Sequence, residues 1–325
     1  MEEVSVDVVV IGSGPAGQKA AIQAAKLGKS VVVVEKSLEP GGECLFSGTI
    51  PSKTFREAVV DLTRFYERHF HGKEYIPPQV TMDELNFRLR SVIEEEREVV
   101  ARQFKKNGIR LINGSARFEN THTLLLVDED YRLKYQIKAG IFVIATGSMP
   151  RNPKEVPFDR EVILDSTTLL QIGCVPKCMV VLGGGIIGSE YASFFAALGT
   201  EVTVIDRKEH MLPMLDAEIG THLQTALTDI GLKFLGKKEP VEIIKKEQKA
   251  IVKFKDGSAI EGETLLYALG RTANIGALHV ENAGIYLDAK GYIPVNALFQ
   301  TVVPHIYAAG DVIGGPCLAS TSMEQ

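Results

Sequence analysis

VDVVVIGSGPAGQKAAIQAAKLG, residues 6 to 28, decides the fold. Its first six residues are a β-branched run that reads as a strand, and the segment after the glycines has helical spacing and ends on Gly28. The next run, SVVVVEK (30–36), reads as a second strand. Strand, glycine turn, helix and strand in this order predict a parallel sheet with right-handed crossovers. The glycines fall at Gly12, Gly14 and Gly17. That spacing allows a tight turn and close backbone approach, and it places a pyrophosphate at a helix N-terminus, where free N–H groups and the helix dipole favour anions. Glu35 ends the second strand, 18 residues after Gly17, where a carboxylate can accept both ribose hydroxyls of an adenosine.

The same theme returns in CMVVLGGGIIGSEYASFFAALG (178–199) followed by EVTVID (201–206). Its glycines are Gly183, Gly185 and Gly188, and its acid is Asp206, again 18 residues on. An internal echo of this kind predicts two dinucleotide-binding units in one chain. An acid at position 206 favours the free 2′-hydroxyl of NAD over the 2′-phosphate of NADP, while Arg207 and Lys208 directly after it partly offset that bias. The sequence therefore leans to NAD without excluding NADP.

Between the two units, FREAVVDLTRFYERHF (55–70) and MDELNFRLRSVIEEEREVVARQFKKNG (82–108) read as polar amphipathic helices joined by a Pro-Pro loop. The charge run in the second is a solvated helix face. RLINGSARF, HTLLLVD and YQIKAGIFVIATG follow as short strands.

Composition narrows the rest. The 325 residues suffice for two domains, and 45% hydrophobic with 24% charged residues is ordinary for a globular protein. A net charge of −5 argues against nucleic acid or an anionic membrane as the main partner. Four cysteines fit a reducing, cytoplasmic setting, and neither a signal peptide nor a membrane-spanning run is expected. The seven histidines are scattered, so none is expected to bind metal, and Cys174 and Cys178, spaced CxxxC, read as structural.

GGECLFSGTIPSK (41–53) supplies the chemistry. With the two nucleotide units, it makes the chain resemble the FAD-dependent pyridine nucleotide-disulfide oxidoreductases, from about Val4 to Gln325. Further resemblances lie in IATG (144–147), LYALGRTAN (266–274) and TVVPHIYAAGDVIG (301–314). The fold implied is α/β, with two Rossmann-like, three-layer domains and the NAD(P) domain inserted into the FAD domain. FAD would take residues 1–149 and 273–325, and NAD(P) residues 150–272.

The resemblance implies that FAD is held by Gly12, Gly14, Pro15, Ala16, Gly17, Glu35 and Lys36. Further contacts come from Gly42, Cys44, Thr49 and Lys53, from Thr146 and Gly147, and from Gly310 and Asp311, the Asp meeting the ribityl and pyrophosphate region. NAD(P)H would be held by Gly183, Gly185, Ile186, Ile187 and Gly188, by Glu190, Asp206 and Arg207, and by Gly270. Disulfide reductases of the family carry a second cysteine five positions after the first, where this chain has Thr49. Soluble pyridine nucleotide transhydrogenases resemble the chain at GTIPSK, at REAV, at NGSARF and at GDVIG-x-P-x-LAS.

That likeness implies hydride exchange between nicotinamide nucleotides through FAD, with Cys44 packed as a small hydrophobe. A peroxide-reactive sulfenic-acid site is the alternative for that cysteine. Lys53 would lie near the flavin N5 and pair with Glu190, a buried lysine kept charged by its carboxylate. The alternatives are a dihydrolipoamide dehydrogenase-like or diaphorase enzyme with another acceptor, and a nucleotide-binding fragment without turnover. Family members continue past the GD segment into an interface domain that makes a homodimer. This sequence stops at Gln325, so a fragment or a truncation lacking that domain is expected.

Overall fold

The structure, a computed structural model, describes residues 1–69, 80–128 and 130–325, with residues 65–69 described by backbone alone. The Pro-Pro loop and the last residue of the first amphipathic segment lie outside the described residues. Packing divides the chain into two compact units: Met1–Ile50, Ile93–Met149 and Arg271–Gln325 form the first, and Pro51–Val92 and Pro150–Gly270 the second.

The first unit is built on β1 (Glu2–Ile11), α1 (Pro15–Lys26), β2 (Val31–Glu35) and the short α2 (Gly42–Phe46). Two long helices come next in the chain, α3 (Thr49–His69), which from Pro51 on belongs to the second unit, and α4 (Met82–Lys106), which belongs to the first unit from Ile93. Then come β3 (Arg110–Asn113), β4 (Ser115–Asn120), β5 (Thr123–Val127) and β6 (Leu133–Ile144) of the first unit. β7 (Ser148–Pro150) pairs with β16 (Arg271–Ala273), and the chain closes with β17 (Ile306–Ala308) and α7 (Ala319–Glu324).

The sheet runs β3-β2-β1-β6-β5-β4, with β17 also beside β6. β1, β2, β3, β6 and β17 are parallel, as the sequence predicts. β4 and β5 add an antiparallel meander that the sequence pattern did not reveal. β6 serves two neighbours on one edge: Leu133–Lys138 pairs with β5, and Phe142–Ile144 pairs with β17. The continuous valine runs follow from this arrangement, because a sheet covered on both faces buries every residue of its central strands. Val9, Ile11, Val32 and Val34 pack on one face with Phe118 and Phe142, whereas Val8, Val10, Val31 and Val33 pack on the other with Ala21 of α1 and Phe104 of α4.

The second unit holds β8 (Ile163–Leu164), β9 (Cys178–Leu182), α5 (Ile186–Ala197), β10 (Glu201–Ile205), α6 (Ala217–Asp229) and β11 (Lys233–Leu235). β12 (Pro240–Lys246), β13 (Lys249–Phe254), β14 (Ala259–Gly262) and β15 (Thr264–Tyr267) complete it. Its main sheet is parallel throughout, in the order β11-β10-β9-β15-β8, and β12-β13-β14 form a separate antiparallel sheet.

Residues 51–69 and 80–92, expected with the first nucleotide domain, group with the second unit. Phe55 of α3 is fully buried with its ring 6.1 Å from Phe194 and 5.9 Å from Phe195 of α5. Asn86 of α4 donates from Nδ2 to the Leu170 carbonyl at 2.6 Å. An apolar helix face goes where matching apolar surface is offered, and α5 offers it. The charge run of α4 is solvated as expected at Glu94, Glu95, Glu96 and Glu98, while Val100 and Phe104 reach the core.

Phe55→Ala is therefore expected to lower stability to urea by about 3–5 kcal/mol. Phe87→Ala, on the exposed face of α4 (70% exposed), should stay within about 0.5 kcal/mol. Equal losses for the two variants would contradict the packing of α3 on α5.

Candidate functional site

Each unit ends a central strand in the same turn. In the first, the Gly12 amide donates to Val34 O at 2.8 Å and Ala145 N donates to Ile11 O at 2.8 Å, so the turn sits between two neighbouring strands. Gly12 has φ +102°, and a Cβ there would stand 2.4 Å from Ala145 O. A Cβ on Gly17 would stand 2.0 Å from Gly12 O, so only glycine lets the helix pack this closely on the strand end. The second unit repeats the arrangement: Gly183 N donates to Ile205 O and Ala268 N to Leu182 O, both at 2.8 Å. A Cβ on Gly183 would meet Ala268 O at 2.6 Å, and one on Gly188 would meet Gly183 O at 1.9 Å.

The middle glycines behave differently. Gly14 and Gly185 are the N-caps of α1 and α5, neither helix has a side-chain cap, and a Cβ on either glycine would meet nothing within 4 Å. Both twelve-residue helices thus present their first N–H groups, with the positive end of the helix dipole, across an open face. Beside the first turn, the Thr146 hydroxyl is buried with no hydrogen-bond partner among the described residues. Buried polar atoms are normally paired, so an orphan at this place is what a polar ligand would satisfy.

The two acids do more than the sequence reading assigned them. Glu35 is buried, and its Oε2 accepts from Ser13 N at 2.9 Å and Ser13 Oγ at 2.5 Å, while Oε1 accepts from Ser37 N at 2.9 Å. Ser13 Oγ in turn accepts from Gly41 N at 2.9 Å, which draws the GGEC segment to the turn. A Cβ on Gly42, at φ +67°, would lie 2.7 Å from Gly14 Cα. Asp206 repeats the brace, with Oδ2 accepting from Gly184 N at 2.7 Å and Oδ1 from Lys208 N at 2.8 Å. In both units the carboxylate holds the residue between the first two glycines, a role that only the folded turn displays. Lys36, Arg207 and Lys208 are exposed beside these acids, as is Ile186 at the start of α5, while Ile187 is half-buried.

Pro15, Ala16, Gly147, Gly310 and Asp311 stand in the first unit with the first turn. Gly147 has φ +69° and its carbonyl accepts from Asn274 N at 2.9 Å. Gly310 has φ +80°, and a Cβ there would come within 3.2 Å of Ala16 Cβ and 3.4 Å of Ser322 Oγ, so α1 and α7 close on it from two sides. Asp311 Oδ2 accepts from Ser148 Oγ at 2.7 Å. Gly270 is exposed in the second unit, and its carbonyl accepts from Arg151 N at 3.0 Å.

Cys44, expected as a small hydrophobe, stands in the first unit. It is half-buried, a free thiol, and hydrogen-bonded by the Thr49 side chain and the Ile50 backbone. Burial pushes its pKa up, the two hydrogen bonds pull it down, and the Asp311 charge adds to the rise. Cys174 is an exposed free thiol and Cys178 lies half-buried in β9. No group of three or more His, Cys, Asp or Glu suited to a metal ion occurs among the described residues.

Lys53 and Glu190 do meet: Lys53 Nζ donates to Glu190 Oε1 within the second unit. The pair is not buried as expected, because the two side chains are 50% and 34% exposed. It lies at the start of α3 and the second turn of α5, where Phe55 fixes the helices against each other but leaves this end open to solvent.

Two glycine turns with open helix N-termini, each braced by an acid and one in each α/β unit, are the geometry of a protein with two dinucleotide sites. The family profile of pyridine nucleotide-disulphide oxidoreductases matches residues 6–325, and the chain belongs to that family. It is an FAD-dependent oxidoreductase of pyridine nucleotides, with FAD and NAD(P)H as its cofactors.

The soluble pyridine nucleotide transhydrogenase of Mycobacterium bovis is 44% identical over 320 residues, which cover 98% of this chain and 68% of the relative. That of Chromohalobacter salexigens is 40% identical over 319 residues, covering 98% and 69%. Among solved structures, LpdA of Mycobacterium tuberculosis matches with a TM-score of 0.89 at 26% identity, covering 98% of this chain and 71% of that one. The HOCl-induced flavoprotein disulfide reductase RclA of Escherichia coli, solved as a Cu(II) complex, matches with a TM-score of 0.86 at 29% identity, covering 98% and 69%. No helix among the described residues is long and apolar enough to cross a membrane.

Two outcomes follow from this geometry. Asp206→Ala leaves the buried Gly184 amide without its acceptor, and should cost about 1–3 kcal/mol in a urea melt. An unchanged midpoint would show that the brace is dispensable. Cys44 has a folded pKa above its ordinary 9.0, so its neutral thiol adds stability below that value and the contribution is lost as pH rises through the raised folded pKa. Iodoacetamide should therefore alkylate Cys44 more slowly at pH 8 than a free cysteine, and Cys44→Ser should flatten the stability loss above pH 9. Faster alkylation than free cysteine would reverse the sign.

Proposed function

We propose that the chain exchanges hydride between NAD(P)H and NAD(P)+ through FAD, without a redox-active disulfide. One observation carries this reading: a threonine hydroxyl, that of Thr49, hydrogen-bonds Cys44 from the position where a dithiol site has its second sulfur. A lone thiol has no partner for reversible dithiol chemistry. The names of the transhydrogenase relatives support the same activity.

In this reading FAD rests on the first unit. The Gly12–Gly17 turn and the N-terminus of α1, with Pro15 and Ala16, take the pyrophosphate. Glu35 and Lys36 take the adenosine end, the Thr146 hydroxyl and Gly147 a further polar contact, and Asp311 the ribityl region. Gly42, Cys44 and Thr49 line the same segment. NAD(P) rests on the second unit, with the pyrophosphate at the Gly183–Gly188 turn and the ribose at Asp206. Ile186 and Ile187 offer an apolar surface at the start of α5, and Gly270 is a further contact in the same unit. FAD, when bound, supplies the hydride-accepting and hydride-donating centre.

The chain's own contribution is positioning and charge. Lys53 offers a cation that stabilises negative charge developing on a nearby reduced ring, and Glu190 fixes its ammonium. Asp206 favours NADH, and the exposed Arg207 moderates that choice.

The test is anaerobic. The protein reduced with NADPH should be reoxidised by NAD+ within turnover time, with lipoamide and glutathione disulfide far less effective. Fast reoxidation by a disulfide and none by NAD+ would replace this reading with the disulfide-reductase one, which the retained Cys44 and the name of the RclA neighbour favour. Lys53→Met should slow reduction by NADH at least tenfold. Because the ion pair is half exposed, its stability coupling in a Lys53→Met/Glu190→Gln cycle should be only about 0–1 kcal/mol. A coupling of 3 kcal/mol or more would mean the pair is buried in the working protein.

A further inference from the structure

We infer that Arg271 is a positioning residue for the Asp311 carboxylate, acting through the Ser148 hydroxyl, and so sets the affinity for FAD. The inference rests on the proposal that Asp311 contacts FAD.

Ser148 is buried, and its hydroxyl has one proton and two lone pairs. The proton goes to Asp311 Oδ2 at 2.7 Å, and a lone pair accepts from Arg271 Nε at 2.8 Å. Arg271 Nη2 also donates to the Ser148 backbone carbonyl at 2.8 Å. The guanidinium therefore grips one serine at two points, which fixes the serine rotamer and its proton direction. With the hydroxyl proton committed to Oδ2, the Asp311 carboxylate is held in one orientation, and its Oδ1 takes no hydrogen bond among the described residues.

Arg271 is itself restrained. Its side chain is only 18% exposed, and Nη2 reaches Glu43 Oε2 at 3.3 Å. Glu43 belongs to the GGEC segment and directly precedes Cys44. One cation thus answers two carboxylates from different segments, one directly and one through a serine. All four residues lie in the first unit. Arg271 opens β16 and Ser148 opens β7, the two strands of one ribbon, while Asp311 follows β17. Sequence separations of 123 and 163 residues are bridged by these contacts. Lysine in place of Arg271 offers a point charge in place of the fork and cannot make both bonds in this geometry.

FAD dissociation constants of the apoprotein, read by quenching of flavin fluorescence, and its melting temperature test the inference. Asp311→Asn should weaken FAD at least tenfold. Arg271→Met and Ser148→Ala should each weaken it about tenfold in the parent, but less than threefold when added to Asp311→Asn, and Arg271→Lys should not restore it. Parent-like affinity in Arg271→Met, or a full tenfold loss on top of Asp311→Asn, would overturn the inference. The second result would mark Arg271 as a merely structural residue, with the melting temperature falling in step. If Arg271→Met does not fold, Ser148→Ala removes a single oxygen and carries the same cycle with the same criteria. A parent that binds no FAD, or an Asp311→Asn variant with unchanged affinity, would remove the underlying assignment of Asp311, and this inference with it; neither outcome resembles failure at Arg271 alone.

Discussion

A carboxylate hydrogen-bonded to a backbone amide inside a glycine turn is the constraint on which both halves of this molecule depend. A helix N-terminus can receive an anion only if its first N–H groups stay uncapped, and uncapped groups leave the turn before them poorly fixed. Glu35 and Asp206 resolve that conflict. Each reaches back from the end of the neighbouring strand and holds the residue between the first two glycines, Ser13 in one unit and Gly184 in the other. The turn is made rigid from the side, and the face at Gly14 and Gly185 stays open.

Other features follow from that brace. Because Ser13 is held by Glu35, its hydroxyl is free to accept from Gly41, and the GGEC segment is drawn over the first turn to within contact of Gly14. This brings Cys44 and Glu43 into the same unit as Asp311 and Arg271. The thiol then sits in a half-buried place where burial and a nearby carboxylate both oppose its ionisation. Such surroundings suit a thiol that stays protonated, in keeping with a site whose second sulfur position is a threonine.

The ion pair of Lys53 and Glu190 shows how the same helix contacts can organise a site without burying it. Phe55, two residues after Lys53, is enclosed by Phe194 and Phe195. That apolar contact sets where α3 stands on α5, and the charged pair forms at its solvent edge. Its worth to stability is small for that reason.

The sequence by itself determined the two nucleotide turns, the helices behind them and the acids that follow. These are local patterns, each set by residues within about 30 positions, and glycine spacing with β-branched runs leaves few alternative conformations. It also brought Lys53 and Glu190 together through the family resemblance. Tertiary structure alone decided the packing of α3 on α5 through Phe55, since an amphipathic helix states which face is apolar but not which partner covers it. The antiparallel β4 and β5 were equally hidden, because pairing direction is a property of two strands and not of either pattern. The Arg271–Ser148–Asp311 chain was illegible for the plainest physical reason. Its members are 123 and 163 residues apart, and nothing in the residue types of an arginine, a serine and an aspartate says that a fold will set them within 3 Å.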